Sequence, residues 1–373
     1  MLTLHTAPFQ GISQADWSAK AADLSSRVPT LSDPEIRTAV EELVASIEDA
    51  HTDVEWPYPS PFHLLPLSFY WFDDGIYVTA AAPQYGNLLG GMLTTVGQTD
   101  INDATITLTA LVAHDNQQWV KHRIPLQELT NADFLFGTGL IGSIDSVPLQ
   151  VQAASNGVVS ATIQTFYDLE LPKQTPVFQG APPLYMQYPN KNYWATIIDG
   201  GATIYFQYNN CYEDPNQPSA DFFQQLDQMQ SQPGVQRIIL DMRNNSGGMA
   251  TILAPWIDEI AASPFNQSGR LYVIVGRATF SAAMEATNHL HDRTAAIFVG
   301  EPTGAKPQFE LREGDFGLPY FGIGSSYSQG IESANDSDNT LTPDIVTGLT
   351  FQQYMNGDDP AMDAILAIPA PSN

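Results

Sequence analysis

Hydrophobic and polar positions along the chain change their rhythm twice, and the changes mark its organisation. The first stretch has helical spacing. Trp17, Ala21 and Leu24 share one face of a helix expected over roughly Ser13 to Ser25. Ile36, Val40, Leu43, Val44 and Ile47 do the same in a second helix, opened by a capping box in which Ser32 and Glu35 bracket "SDPE". That helix runs out in "EDAHTDVEWPYPSP", where Pro57, Pro59 and Pro61 predict a stiff linker. The rhythm then shortens to alternation. "GIYVTAAAP" (75–83), "ATITLTALVAH" (104–114) and "SVPLQVQAAS" (146–155) each alternate as half-buried strands do.

From about Tyr193 the grammar becomes strand–helix–strand. "ATIYFQYN", "VQRIILDMR", "RLYVIVG" and "AAIFVG" are strand-like apolar runs. "SADFFQQLDQM", "ILAPWIDEIA" and "SAAMEATNHL" are the helices between them. Such alternation predicts a mainly parallel sheet covered on both faces, with ligands at the carboxyl ends of its strands. The expected division is an N-terminal helical region (1–56), a β-rich middle domain (57–185) and an α/β core (186–373).

Composition narrows the function. Hydrophobic residues make up 43% of the 373-residue chain, which fits a globular protein of two or three domains. The 41 acidic and 14 basic residues give a net charge of −27, which repels phosphate backbones and anionic lipid. Nucleic acid and membrane surfaces are therefore not expected partners. An extracellular or cell-envelope setting is expected over a cytoplasmic one. Cys211 is the only cysteine, so neither an intrachain disulfide nor a cysteine-based metal cluster is available. No apolar run approaches the ~20 residues of a membrane span. The opening "MLTLHTAPFQ" lacks the basic and apolar regions of a signal peptide.

Four segments carry candidate chemistry. "GRATFSAAM" puts Ser281 where a strand ends and a helix begins. A serine there serves as helix N-cap or as nucleophile, with the N–H of Ala282 and the helix dipole favouring an oxyanion. "LDMRNNSGGMA" (240–250) is either a tight strand-to-helix turn or one wall of an oxyanion hole built on Gly247 or Gly248. In it, Asp241 and Arg243 are expected to brace the loop. "VGEPTGAKPQ" (299–308) holds Lys306, one of five lysines, which is either a solvated charge or, if buried and neutral, a general base. "EDAHTD" sets His51 among Glu48, Asp49 and Asp53, either closing a helix or oriented as a base. His289 and His291 lie two apart and share no helix face, so they are read as surface residues.

Taken in order, these motifs resemble the C-terminal-processing (tail-specific) serine peptidases. "RIILDMRNNSGG", "GRATFSAAM" and "AAIFVGEPTGAKP" are similar to that family's glycine turn, nucleophile segment and following loop. "TPDIV" (342–346) and "YMNGDDPAMDAIL" resemble its closing segment, and "DAHTD" the Asp-x-His-Thr segment of its tricorn-related branch. The resemblance implies a crotonase-like α/β core, with an N-terminal helical region and a β-rich middle that is PDZ-like, "GNLLGGML" (86–93) being the nearest binding loop. It implies peptide or unfolded-protein substrates, no metal and no organic cofactor. Ser281 would be the nucleophile and Ala282 with Gly247 or Gly248 the oxyanion donors. The base would be His51, assisted by Glu332 or, behind it, Glu301; alternatively it would be Lys306, 25 residues after the serine. "TGAKPQ" departs from the Phe-Gly-Lys-Gly of lysine-dependent members, and Pro307 favours extended backbone at Lys306. A catalytically silent, peptide-binding relative is the competing expectation.

Overall fold

The computed structural model describes residues 5, 8–9, 11–56, 62–153, 157–167, 174–175, 178–317, 324–331 and 338–371. The expected proline linker at 57–61 lies outside them. The chain divides into two compact units, one of residues 1–177 with 310–331 and one of residues 178–309 with 332–373.

In the first unit, helix α1 (Gln14–Arg27) is capped by Ser13, whose Oγ accepts the Asp16 amide. Helix α2 (Asp33–Ala45) has the expected Ser32–Glu35 capping box. After the short strand β1 (Val54–Glu55), strands β2 (Leu67–Phe72), β3 (Gly75–Ala81) and β4 (Met92–Val96) form an antiparallel run, to which β5 (Thr99–Asp100) pairs. The amides of Leu89, Gly90 and Gly91 are held by the carbonyls of Gly86, Val78 and Leu88, so this glycine turn offers none of the three to a ligand.

Residues 104–114 correct the strand expectation, for α3 (Ile101–Thr109) is a helix. Asp100 caps it through the Asn102 amide, and the hydroxyls of Thr105, Thr107 and Thr109 bond back to carbonyls three or four residues earlier. Those local bonds outweigh the β preference of the alternating threonines. Helices α4 (Gln117–Leu126) and α5 (Ala132–Gly137) follow. Strands β6 (Ser146–Gln152) and β7 (Val158–Gln164) then complete the order β2-β3-β4-β6-β7.

The second unit is the expected α/β layer. Strand β8 (Tyr193–Ile198) pairs antiparallel with β9 (Thr203–Tyr208). From there β9, β10 (Arg237–Asp241), β11 (Leu271–Val275) and β12 (Ile297–Gly300) are mutually parallel. The connecting helices are α6 (Ser219–Gln230), α7 (Ala254–Ala262) and α8 (Ala282–Arg293). After β12 the chain makes a hairpin of β13 (Glu310–Gly317) and β14 (Gly324–Ile331), which belongs to the first unit and pairs with β1. It returns as β15 (Ile345–Val346) beside β12, followed by α9 (Phe351–Asn356) and α10 (Pro360–Leu366).

The parallel strands are buried along almost their whole length and mostly apolar, because both faces are covered. On one face Tyr205, Ile239, Tyr272 and Val299 pack with Met362 and Ile365 of α10. On the other, Phe206 meets Phe222 of α6 and Trp256 of α7. Buried Arg237 staples the C-terminal helix to the sheet, donating to the carbonyls of Ile365 and Ile368 at 2.9 Å each. Three loops leave the carboxyl ends of the adjacent strands β10, β11 and β12, and they carry most of the residues of chemical interest.

Candidate active site

Ser281 occupies the N-cap position of α8, yet it does not cap. Its hydroxyl makes no capping bond, and its backbone (φ 52°, ψ −127°) lies outside the extended region that N-caps adopt. A left-handed φ on a residue with a Cβ is uncommon and costs on the order of 1–3 kcal/mol, which the surroundings must supply. The capping reading therefore fails. What remains is a half-buried hydroxyl presented at a helix N-terminus, next to the buried amide of Ala282.

The surroundings that hold this turn are explicit. Phe280 N–H donates to Asn245 O at 3.2 Å, and Thr279 Oγ donates to Met242 O at 3.1 Å, tying the serine segment to the turn after β10. Asn245, fully buried, accepts the Gly247 amide on Oδ1 at 2.9 Å and donates from Nδ2 to Tyr208 O at 2.9 Å. Gly247 has φ 108°, and a Cβ there would sit 2.7 Å from Ser281 Cβ and 3.1 Å from Ala282 N. Only glycine permits that approach. The Gly247 amide is thus spent on Asn245. The amides of Gly248 and Ala282 donate no hydrogen bond among the described residues. Cys211, whose thiol burial pushes up to about 11, donates to Asn245 Oδ1 at 3.4 Å and stays protonated, which removes it as a competing nucleophile.

The Lys306 loop is fastened to the same element from both sides. Ala305 N–H donates to Thr279 O at 3.3 Å, and Asn288 of α8 donates from Nδ2 to Pro307 O at 2.9 Å. Glu301, in the same loop, forms a two-point ion pair with Arg277 through Nε (2.9 Å) and Nη2. Asp241 and Arg243 brace the base of the β10 turn, as expected. Arg243 Nε donates to Asp241 at 3.0 Å, and its two terminal nitrogens reach Asp359 at 2.8 and 3.0 Å.

His51 belongs to the first unit and is buried. The acids around it in sequence have other tasks. Asp49 accepts the His51 amide at 3.0 Å, the Ser328 hydroxyl at 2.7 Å, the Thr52 hydroxyl and, at 3.0 Å, His5 Nε2. Burial alone would raise the Asp49 carboxyl, but these bonds outweigh it and hold the group below the usual carboxylate range. Asp53 pairs with Arg123 at 3.0 Å, and Glu48 is exposed. Glu332 lies outside the described residues. His289 is half-buried and His291 exposed, and among the described residues no group of three or more His, Cys, Asp or Glu side chains is placed to hold a metal ion.

Sequence reasoning singled out Ser281, Ala282 and the paired glycines from their motifs, and the structure sets Gly247 against Ser281 and Ala282. That reasoning missed Asn245 and Asn288 as the ties between loops, and nothing local marks either. It also missed buried His5, which reaches Asp49 across 44 residues of chain.

The fold built by these elements is similar to that of solved structures of CPAF. Mature CPAF aligns over 98% of this chain and 93% of its own, with a TM-score of 0.62 at 14% identity. A serine-to-alanine mutant of CPAF aligns over the same shares, with a TM-score of 0.64 at 12% identity. A photosystem II D1 C-terminal processing protease and the tricorn protease also align, covering 90% and 95% of this chain and 90% and 34% of their own. They do so at 14% and 12% identity and at TM-scores of 0.36 and 0.45. No protein-family model matches the sequence, and no curated protein matches it.

Proposed function

We propose that the chain is a serine peptidase of the C-terminal-processing kind, with Ser281 as nucleophile. The observation that carries this reading is the Ser281 turn: a serine at a helix N-cap, held at φ 52° and not used as a cap. Strain of this sort is kept where a hydroxyl must be presented rather than packed. In the proposed reaction Ser281 Oγ attacks a peptide carbonyl as the base takes its proton. The carbonyl oxygen becomes an oxyanion held by the N–H groups of Ala282 and Gly248, since the Gly247 amide already serves Asn245. The base returns the proton to the leaving amine, and water then releases the acyl group by the same route.

His51 is the proposed base, with Glu332 as its supporting acid. Lys306 is the second reading, favoured by one observation: its loop is tied to Thr279 and to Asn288 on either side of the serine. The covered parallel sheet is proposed as a crotonase-like core, and the first unit's β2-β3-β4-β6-β7 sheet as the PDZ-like module.

Fluorophosphonate labelling tests the chemistry. Wild type is expected to label and Ser281→Ala not to. Of His51→Ala and Lys306→Ala, each checked for folding, the one that also abolishes labelling carries the base. Absence of labelling in folded wild type from pH 6 to 10 would reject the peptidase reading in favour of a silent, peptide-binding protein.

A further inference from the structure

Tyr212 and Met249 have no part in the chemistry above, yet they stand beside it. Both are large, apolar and about half exposed, at 54% and 53%. Cys211 and Gly248 form a single parallel bridge, in which Cys211 N–H donates to Gly247 O at 3.0 Å and Met249 N–H donates to Cys211 O at 2.7 Å. In such a bridge the residue flanked by both bonds turns its own N–H and C=O to the opposite side. That residue is Gly248, and neither of its main-chain groups is engaged by another described residue. The register sets Tyr212 beside Met249, on the face opposite the buried Cys211 side chain. The Tyr212 ring lies over Gly248, with Cε2 3.0 Å from where a Cβ would stand.

An open main-chain edge flanked by exposed apolar side chains is what an extended peptide needs: backbone bonds for affinity and a side-chain wall for selection. We infer that Tyr212 and Met249 select substrate, holding a large apolar or aromatic side chain at or next to the scissile residue. The scissile residue exchanges main-chain hydrogen bonds with Gly248. Its carbonyl oxygen accepts from Gly248 N–H, and its own N–H donates to Gly248 C=O. This rests on the peptidase reading, because the Gly248 amide that pairs with the substrate is the one proposed to hold the oxyanion. Burying one such side chain against two apolar partners is worth about tenfold in affinity or more.

The test uses binding, so it does not depend on turnover. Capped octapeptides without acidic residues, each carrying a single Phe at a different position, are compared with an all-Ala control by fluorescence anisotropy on Ser281→Ala. At one position Phe is expected to tighten binding about tenfold, and Tyr212→Ala with Met249→Ala on the same background is expected to erase the difference. Both side chains are half in solvent, so a melting curve unchanged by the pair excludes loss of fold. Tyr212→Ser with Met249→Gln serves should the alanine pair aggregate. No binding, no Phe preference at any position, or a preference that survives both substitutions would overturn the inference. Labelling of wild type at Ser281, run in parallel, judges the peptidase reading separately: labelling without apolar preference leaves the chemistry and removes the wall, and apolar preference without labelling does the reverse.

Discussion

Arg123 in the first unit and Arg243 in the second are both mostly buried guanidiniums among carboxylates, and the two sets are closed differently. Arg243 meets two acids with matched geometry. Both terminal nitrogens reach Asp359, Nε and Nη2 reach Asp241, and Cζ lies 4.4 Å from the centre of the Tyr185 ring. Tyr205 OH completes Asp241 at 2.8 Å. Arg123 has three acids to answer: Asp53 at 3.0 Å, Glu128 at 3.5 Å, and Glu41, whose charge it also feels. Arg123 Nε and Glu128 Oε2 have no hydrogen-bond partner among the described residues. Burial, reinforced by the charge of Asp53, pushes Glu41 well above the usual carboxylate range, and burial raises Glu128 as well. One cation cannot neutralise two buried acids and a partly exposed third, so protons make up the difference. The scaffold under the candidate nucleophile is thus built of matched ion pairs, and the first unit is built to respond to pH.

The largest effect expected from this contrast lies in the matched set. Asp359→Ala leaves Arg243 buried with half of its bonds, and should cost about 3–5 kcal/mol in denaturant unfolding. A loss under ~1 kcal/mol would show that water replaces the carboxylate and that the set is not closed.

Glu41→Gln comes next and acts on pH dependence rather than on stability at one pH. The folded state holds the Glu41 proton above the ordinary value near 4.5, so it binds more protons than the unfolded chain as pH rises from there. Stability from this group is therefore full below about pH 4.5 and is lost as pH rises through the raised folded value. Glutamine keeps an acceptor for Trp56 Nε1 and cannot ionise. The variant should melt like wild type at pH 4.5 and above it at pH 8. Parallel melting curves at both pH values would mean that Glu41 is ionised throughout.

Ser281→Gly moves the contrast from charge to backbone. The second unit stores strain at φ 52°, which glycine adopts freely. The variant should gain about 1 kcal/mol, less the entropy glycine adds to the unfolded chain, while losing all fluorophosphonate labelling. A destabilised variant would show that the serine side chain packs rather than presents.

The legible part of this molecule was the part fixed by short-range patterning. Buried parallel strands such as "VQRIILDMR" admit few readings, and the Ser32–Glu35 box announces its helix. The 104–114 stretch was misread because threonines alternate equally well in a strand and in a helix whose hydroxyls bond back to its own carbonyls. At the candidate site the motifs singled out Ser281 and its glycines. The φ of Ser281 and the spent Gly247 amide depend on Asn245 and Thr279, and those contacts form only when the β10 and β11 loops meet. The same holds for the β13–β14 hairpin, whose strand β14 pairs with β1 more than two hundred residues upstream.

The smallest effect tests whether a raised carboxyl in the second unit is shielded from water as Glu41 is in the first. Glu259 on α7 is exposed, and a hydrogen bond with Asp227 of α6, then partial burial and the Asp227 charge, lift it to about 7. The sign is that of Glu41: the favourable contribution is complete below the ordinary value near 4.5 and gone once pH passes about 7. Glu259→Gln mimics the protonated acid, so it should leave melting unchanged at pH 4.5 and raise it slightly at pH 8. The rise should be smaller than that of Glu41→Gln, because water screens the Asp227 charge at an exposed position. It should also shrink in 0.5 M salt, whereas the buried Glu41 effect should persist. A salt-insensitive gain would mean that the α6–α7 carboxyl pair is shielded from water, and that excess buried acid belongs to both units.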